Sequence, residues 1–204
     1  MGAKGTHGDF VSDITAIRQR ARQHIKNGAV TDNYKGNRET VIKILNDALA
    51  TELVCVLRYK RHYYMASGIH SEAVKSEFLE HAEEEQKHAD QIAERISQLD
   101  GAPDLNPQGL VDRSHSEYVE GSTIVDMIRE DLVAERIAIE SYGEIIRYLG
   151  ENDPTSRRMM EEILAKEEEH ADDMKTLLED LGEAEDTKSE SEDQQKARPI
   201  KKAS

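Results

Sequence analysis

Two copies of a Glu-x-x-His motif are the residues of this chain best suited to chemistry. They span Glu85–His88 and Glu167–His170, and both are followed by Ala-Asp. Residues three apart lie on one face of an α-helix, so each motif can present a carboxylate and an imidazole to a metal ion. One such motif is a weak signal, because glutamate and histidine also meet by chance on solvated helices.

Each motif has a matching glutamate one helix earlier. Glu52 precedes Glu85 by 33 residues, and Glu135 precedes Glu167 by 32. The chain therefore contains two equivalent halves, each with one lone glutamate and one Glu-x-x-His. This repetition predicts a site with approximate two-fold symmetry.

These polar residues interrupt apolar stripes at helical spacing, as Glu135 does between Leu132 and Ile139. Burying an unpaired carboxylate costs several kcal/mol, and such a group usually takes up a proton instead. Two divalent cations would balance four carboxylates, while two neutral imidazoles add no charge. The pattern predicts a site for two metal ions with these ligands: Glu52, Glu85, His88, Glu135, Glu167 and His170. Oxygen and imidazole ligands favour Fe²⁺ or Mn²⁺, and Zn²⁺ can compete for the same site.

Structural roles are the alternative for each residue. Glutamate-rich runs usually form solvated faces, which we expect for Glu83, Glu84, Glu168 and Glu169. A single buried histidine is commonly a hydrogen-bonded core residue, and Glu135 could pair with a nearby arginine. Tyr59, two turns beyond Glu52, is either plain core or a donor of a hydrogen bond or an electron to the metal site. We expect Cys55 to be a small buried residue without a redox role.

Four long helices must position these residues in an all-α fold. Their predicted bounds are about Arg38 to Ala66, Glu72 to Leu99, Thr123 to Leu149 and Pro154 to Leu181. The predicted N-terminal caps are Asn37, Ser71, Ser122 or Thr123, and Asp153. A glycine follows each helix, and we expect left-handed C-terminal caps at Gly68, Gly101, Gly150 and Gly182.

The connections predict the topology. Short links join the first two helices and the last two, so each pair should form an antiparallel hairpin, and residues 100–122 form a long crossover between the hairpins. The bundle then spans residues 38–182. An N-terminal extension, residues 1–37, carries a short amphipathic helix near residues 12–27, and the polar tail, residues 183–204, is predicted to be disordered.

Composition excludes several classes of protein. No run approaches the ~20 apolar residues of a membrane span, and the first residues lack the apolar core of a signal peptide. A single cysteine among 204 residues excludes an internal disulfide and a CxxC metal site, so we expect a reducing cytoplasm. The net charge of −15 disfavours nucleic acid as the main partner and would concentrate cations.

The chain resembles bacterioferritins and the Dps-like ferritins that share their metal site. The resemblance covers about residues 38–182 and lies in the segments LNDALATELVCVLRY, EEEQKHADQIAERI, EDLVAERIAI and EILAKEEEHADDM. It implies a ferritin-like four-helix bundle. It also implies one iron on Glu52 and His88, the other on Glu135 and His170, bridges from Glu85 and Glu167, and Tyr59 beside the centre.

The activity that this resemblance implies is ferroxidase. Fe(II) would be oxidised by O2 or H2O2, and the ferric product would be stored in a hollow homo-oligomeric shell. Gln86 stands where bacterioferritins have the methionine that ligates haem, so we expect no haem. The tail lacks the short fifth helix of 24-subunit ferritins, which favours a 12-subunit shell. Dps-like proteins with this site often carry a cysteine pair, whereas this chain has Cys55 alone.

Two alternatives stay open. A manganese catalase or a rubrerythrin-like peroxidase could use the same bundle, although the missing CxxC pair argues against a complete rubrerythrin. A Dps-like protein that protects DNA is the other alternative, because Lys196–Ser204 contains four basic residues and no acidic one. The acidic residues just upstream favour a solvated tail instead.

Overall fold

The computed structural model describes residues 13–68 and 71–196, with side chains as far as residue 182. All regular structure in these ranges is helical, which confirms the predicted all-α class. The elements are α1 (Ile14–Arg20), a 3-10 helix (Ile25–Asn27), α2 (Arg38–Met65), α3 (Ser71–Gln98), α4 (Leu110–Arg113), α5 (Ile124–Leu149) and α6 (Pro154–Lys196).

Two helical hairpins form a four-helix bundle, as predicted. α2 packs along α3 and α5 packs along α6, while contacts of α2 with α5 and of α3 with α6 join the hairpins. Most of the apolar core lies in two clusters. One contains Leu45, Ile92 and Leu149 and the other Phe78 and Ile128. The middle of every bundle helix lies between the clusters, and there the core is polar.

The helix starts follow the predicted caps at three of four places. The side chain of Asn37 accepts a hydrogen bond from the Thr40 amide at 3.1 Å. Thr123 forms a capping box with Asp126, and Asp153 Oδ1 accepts from the Ser156 amide at 2.9 Å. Ser71 differs, because it is the first residue of α3. The starts of α2, α5 and α6 are therefore fixed by local sequence.

The predicted left-handed glycine after α3 is wrong. Asp100 adopts the positive φ of +61°, a conformation that aspartate tolerates better than most residues. Gly101 instead lies against α2, where a Cβ atom would come 2.9 Å from Ile42 Cδ1. Gly68 and Gly150 do have positive φ, of +118° and +47°. Gly101 is thus required for close packing.

The fourth long helix does not end at Leu181. It continues through Gly182 to Lys196, so the predictions of a cap at Gly182 and of a disordered tail are wrong as far as Lys196. One glycine costs a helix only about 1 kcal/mol, and the following residues include several glutamates, lysines and glutamines, which favour helix. Residues 197–204, which hold most of the basic groups behind the DNA-binding alternative, lie outside the described residues.

The N-terminal extension is less regular than predicted. Its helix is confined to α1, and a turn with His24 at a φ of +48° separates it from the 3-10 helix. Ile14, Ile17 and Ile25 are exposed, so the predicted apolar face does not pack on this bundle. Further along the extension, Val30 and Tyr34 pack against the apolar core of the bundle.

The long crossover contains a helix that the sequence did not predict. α4 is a single turn, and its Leu110 is buried against Ala50 and Val54 of α2. The crossover is therefore packed along the bundle. Within the residues that the structure describes, no helix is both long and apolar enough to cross a membrane.

Candidate metal centre

The polar middle of the bundle contains all six predicted ligands. Each bundle helix supplies its share at matching depth, between the two apolar clusters. None of the six is more than 6% exposed. The glutamates among them are each at most 1% exposed: Glu52, Glu85, Glu135 and Glu167. Such burial of four carboxylates demands compensating charge.

The six side chains form two overlapping groups, in each of which the candidate ligand atoms lie within 4.8 Å of one another. The first group is Glu52, Glu85, His88 and Glu167, and the second is Glu85, Glu135, Glu167 and His170. Glu85 and Glu167 belong to both groups. The predicted two-fold arrangement of the side chains is therefore present in the fold.

The two shared glutamates each divide their oxygens between the histidines. Glu85 Oε2 lies 3.3 Å from His88 Nδ1, and Glu85 Oε1 lies 3.5 Å from His170 Nδ1. Glu167 repeats this pattern at 3.0 Å and 3.7 Å with its own two oxygens. A carboxylate in this position can bind two cations, one through each oxygen.

The other two glutamates each use one oxygen in a hydrogen bond from a tyrosine on the opposite hairpin. Tyr59 donates to Glu135 Oε1, and Tyr142 donates to Glu52 Oε1. Burial, followed by the nearby carboxylates, raises the pKa of both phenols, so both stay protonated. The second oxygen of each glutamate is left to face the centre.

Tyr142 is a site residue that the sequence analysis did not identify. The signal was present: Tyr142 follows Glu135 by seven residues, just as Tyr59 follows Glu52 by seven. The repeat that identified the ligands would also have identified their hydrogen-bond donors.

Glu84 was predicted to lie on a solvated face, and this prediction is wrong. His170 Nε2 lies 2.9 Å from Glu84 Oε2, and the Glu84 side chain is only 26% exposed. This hydrogen bond occupies Nε2 and leaves Nδ1 for the metal group, as an outer carboxylate commonly does for a metal-binding histidine. Gln86 faces away and donates to Asp90 on its own helix at 3.0 Å.

Burial and neighbouring charges shift the pKa values of the glutamates that end the two groups. Burial, and then the charges of Glu167 and Glu85, raises the pKa of Glu52 well above its usual range. The pKa of Glu135 is raised in the same way by burial and these two carboxylates. Burial and the neighbouring carboxylates thus favour the protonated form of both carboxyl groups.

The histidines of the centre also take up protons. Burial alone would lower the pKa of His170, but Glu167 and Glu85 outweigh it and raise the pKa to about 12. The pKa of His88 is raised as well, against burial, by Glu167, Glu52 and Glu85. Burial acts to raise the pKa of Glu85, yet its contacts with Glu52, His170 and His88 lower it overall, so Glu85 stays ionised.

Several buried atoms of the centre have no hydrogen-bond partner among the described residues. They are Glu85 Oε1, Glu135 Oε2, Glu167 Oε1 and His170 Nδ1. Buried polar atoms in folded proteins are almost always hydrogen-bonded. Three carboxylate oxygens and one imidazole nitrogen without partners form a donor set that suits divalent cations, so the residues fit a metal centre.

A second buried polar network lies beside the centre, and the sequence did not predict it. Arg58 Nε donates to Asp131 Oδ1 at 2.8 Å, and His62 Nδ1 lies 2.8 Å from Asp131 Oδ2. Arg58 also donates to the Glu117 carbonyl of the crossover at 3.0 Å. Arg58 thus pairs with Asp131, and no arginine among the described residues forms an ion pair with Glu135. Cys55 is buried, as predicted.

Comparison with known proteins gives a consistent result. The sequence profile of the ferritin-like domain matches residues 42–184. A bacterioferritin of Brucella melitensis is 33% identical over 141 residues, which are 68% of this chain and 82% of that protein.

Solved structures share the fold. A dodecameric thioferritin, the bacterioferritin-related protein from Bacteroides fragilis, has a TM-score of 0.72 and 32% identity, over 75% of this chain and 92% of that one. The bacterioferritin of Desulfovibrio desulfuricans, whose diiron site has been described in different catalytic states, has a TM-score of 0.65 and 26% identity. That likeness covers 74% of this chain and 88% of the other.

Proposed function

The chain belongs to the ferritin family, and from this premise we propose that it oxidises Fe²⁺ at a dinuclear centre within each subunit and stores the ferric product. In this proposal Glu52 and His88 bind one ion and Glu135 and His170 bind the other. Glu85 and Glu167 bridge the two.

The division of the Glu85 and Glu167 oxygens between the two histidines is the observation that carries the proposal. Shared carboxylates hold two ions side by side, and two adjacent Fe²⁺ ions can each give up one electron. The two electrons convert O2 and two protons to H2O2, or H2O2 and two protons to two water molecules. A centre with two ions thus matches the oxidant's need for electrons in pairs.

The protein's own groups have three roles in this reaction. Glutamate and imidazole ligands bind and orient the two Fe²⁺ substrates. Tyr59 and Tyr142 each fix one oxygen of a terminal glutamate, so that the other oxygen points to the ions. The apolar clusters shield the centre from water on the two sides where they lie.

We propose a shell of twelve subunits around the stored iron. The relative from Bacteroides fragilis is dodecameric, and the likeness covers 92% of its chain. Sedimentation velocity of the purified full-length protein tests this point. A 24-subunit particle would contradict the dodecamer without affecting the proposed chemistry.

Substitution of the bridging glutamates tests the chemistry. We expect Glu85→Ala and Glu167→Ala to abolish rapid Fe²⁺ oxidation, measured by stopped-flow absorbance, while circular dichroism still shows a folded helical protein. Glu83→Ala and Glu168→Ala are matched controls, because these exposed glutamates lie on the same helices within two residues. Oxidation at the wild-type rate in both bridging variants would refute the proposal.

A further inference from the structure

A third group of potential ligands lies next to the centre. It consists of Glu77, His81 and Asp173, whose ligand atoms lie within 4.8 Å of one another. The His81 side chain is 2% exposed, whereas those of Glu77 and Asp173 are 32% and 44% exposed. The His81 ring stacks on His170 with 4.0 Å between centroids. The group thus extends from the centre to the solvent.

The hydrogen bonds of Tyr59 determine which nitrogen of His81 carries a proton. Tyr59 has one hydroxyl proton, and it donates this proton to Glu135. His81 Nδ1 lies 3.2 Å from the same hydroxyl oxygen, so Nδ1 must be the donor in that contact. This step rests on the proposed function, because it takes Glu135 as an ionised ligand that can only accept. Nε2 of neutral His81 then carries a lone pair.

That lone pair faces two carboxylates. His81 Nε2 lies 3.4 Å from Glu77 Oε1 and 3.5 Å from Asp173 Oδ2, and it makes no hydrogen bond to any described residue. Hydrogen bonds between nitrogen and oxygen usually measure roughly 2.7–3.2 Å. In a tetrahedral metal site with bonds of about 2.1 Å, neighbouring ligand atoms are about 3.4 Å apart. The spacing therefore matches three ligands around a cation.

The two-fold repeat does not account for this group. The bridging residues Glu85 and Glu167 are equivalent, so the counterparts of Glu77, His81 and Asp173 are Met159, Ile163 and Gln91. None of these three is an acid or a histidine. The third group is therefore present in only one half of the two-fold repeat. The repeat that produces the centre does not require it.

We propose that Glu77, His81 and Asp173 bind a third divalent cation in a mononuclear site. Two carboxylates and one imidazole suit a first-row transition ion such as Fe²⁺ or Zn²⁺, and the exposed side of the group leaves a position for water. The ion is reached directly from solvent. Through His81 and Tyr59 it is connected by hydrogen bonds to Glu135 of the dinuclear centre.

Crystals of the full-length protein soaked in Zn²⁺ test the inference by anomalous scattering. We expect three ions per chain, two among the six central ligands and one about 2.1 Å from His81 Nε2. Asp173→Asn and Glu77→Gln should remove only the third ion. Asp172→Asn and Glu80→Gln make the same chemical changes at exposed neighbouring positions and should retain it. Equilibrium dialysis should show a fall from three tightly bound Zn²⁺ ions to two in the first pair of variants.

The outcomes separate this inference from the proposed function. Two central ions and none at His81 would overturn the third site and leave the dinuclear centre intact. An ion at His81 with an empty centre would support the third site and contradict the proposed function. Retention of the third ion in both Asp173→Asn and Glu77→Gln would overturn the ligand assignment.

Discussion

The phenol of Tyr142 donates a hydrogen bond to Glu52 across the bundle, from α5 to α2. Its counterpart, Tyr59, donates from α2 to Glu135 on α5. Each hairpin therefore orients a carboxylate of the other. The two hydrogen bonds cross the interface between the hairpins at the depth of the proposed centre.

We expect Tyr142→Phe to slow Fe²⁺ oxidation about 10- to 100-fold, the usual effect of removing a group that orients a metal ligand. Tyr59→Phe should have a comparable effect, because its hydrogen bond is equivalent. Tyr64→Phe is the control, since Tyr64 is on α2 and 77% exposed. Stopped-flow assays would measure the rate of Fe²⁺ oxidation in each variant. An unchanged rate in Tyr142→Phe would show that Glu52 needs no such orientation.

Binding of two divalent cations should release about four protons per centre at neutral pH, since ligands must be deprotonated to bind metal. The four come from Glu52, Glu135, His88 and His170, whose pKa values are raised in the cation-free protein. Affinity should accordingly rise with pH. Zn²⁺ addition in weakly buffered indicator solution measures the release. Binding without proton release would contradict the protonation states described above.

Breaking the buried pair of Arg58 and Asp131 should strongly destabilise the fold. Both side chains are at most 1% exposed, and loss of one partner leaves the other charge buried. We expect Asp131→Ala to lower the free energy of unfolding by about 3–5 kcal/mol. Glu140→Ala, an exposed site on the same helix, should change it by less than about 0.5 kcal/mol. Urea unfolding monitored by circular dichroism compares the two variants. Equal stabilities would show that the pair of Arg58 and Asp131 does not stabilise the fold.

Asp153 should make stability depend on acid pH. Burial acts to raise the pKa of this carboxyl, but hydrogen bonds from Ser156 and the charge of Arg95 lower it overall. Because the folded pKa lies below the unfolded one, the stabilisation is complete above about pH 4 and is lost as the pH falls further. Asp153→Asn should therefore be less stable than the wild type at neutral pH, with a gap that narrows below about pH 4. Thermal unfolding of the wild type and of Asp153→Asn, at neutral and at acid pH, provides the measurement. The exposed Asp180→Asn is the control.

The sequence was informative where a signal is local or repeated. Asn37 and the pair Thr123 and Asp126 fix helix starts through contacts three residues apart, so the bounds of α2 and α5 were predictable. The six candidate ligands were predictable because each interrupts an apolar stripe and has an equivalent in the other half. Both kinds of signal can be found in the sequence without knowing how the helices pack.

The features that were missed depend on how side chains meet across helices. Asp131 could have been a solvated residue of α5, and only the packing of α2 beside it brings Arg58 to 2.8 Å. His81 and Asp173 lie 92 residues apart, and no spacing rule links them. Gly182 failed as a helix stop because a conformational preference of about 1 kcal/mol is readily outweighed by favourable neighbours.

Each of the two proposed metal groups draws ligands from both hairpins. The group around His88 lacks Glu167 until the second hairpin has packed against the first, and the group around His170 likewise needs Glu85. A chain still being synthesised, with only its first hairpin complete, therefore has no bridged pair of ions. Under the proposed function, immature protein would therefore lack the iron redox activity, and tight binding of two ions would mark finished folding.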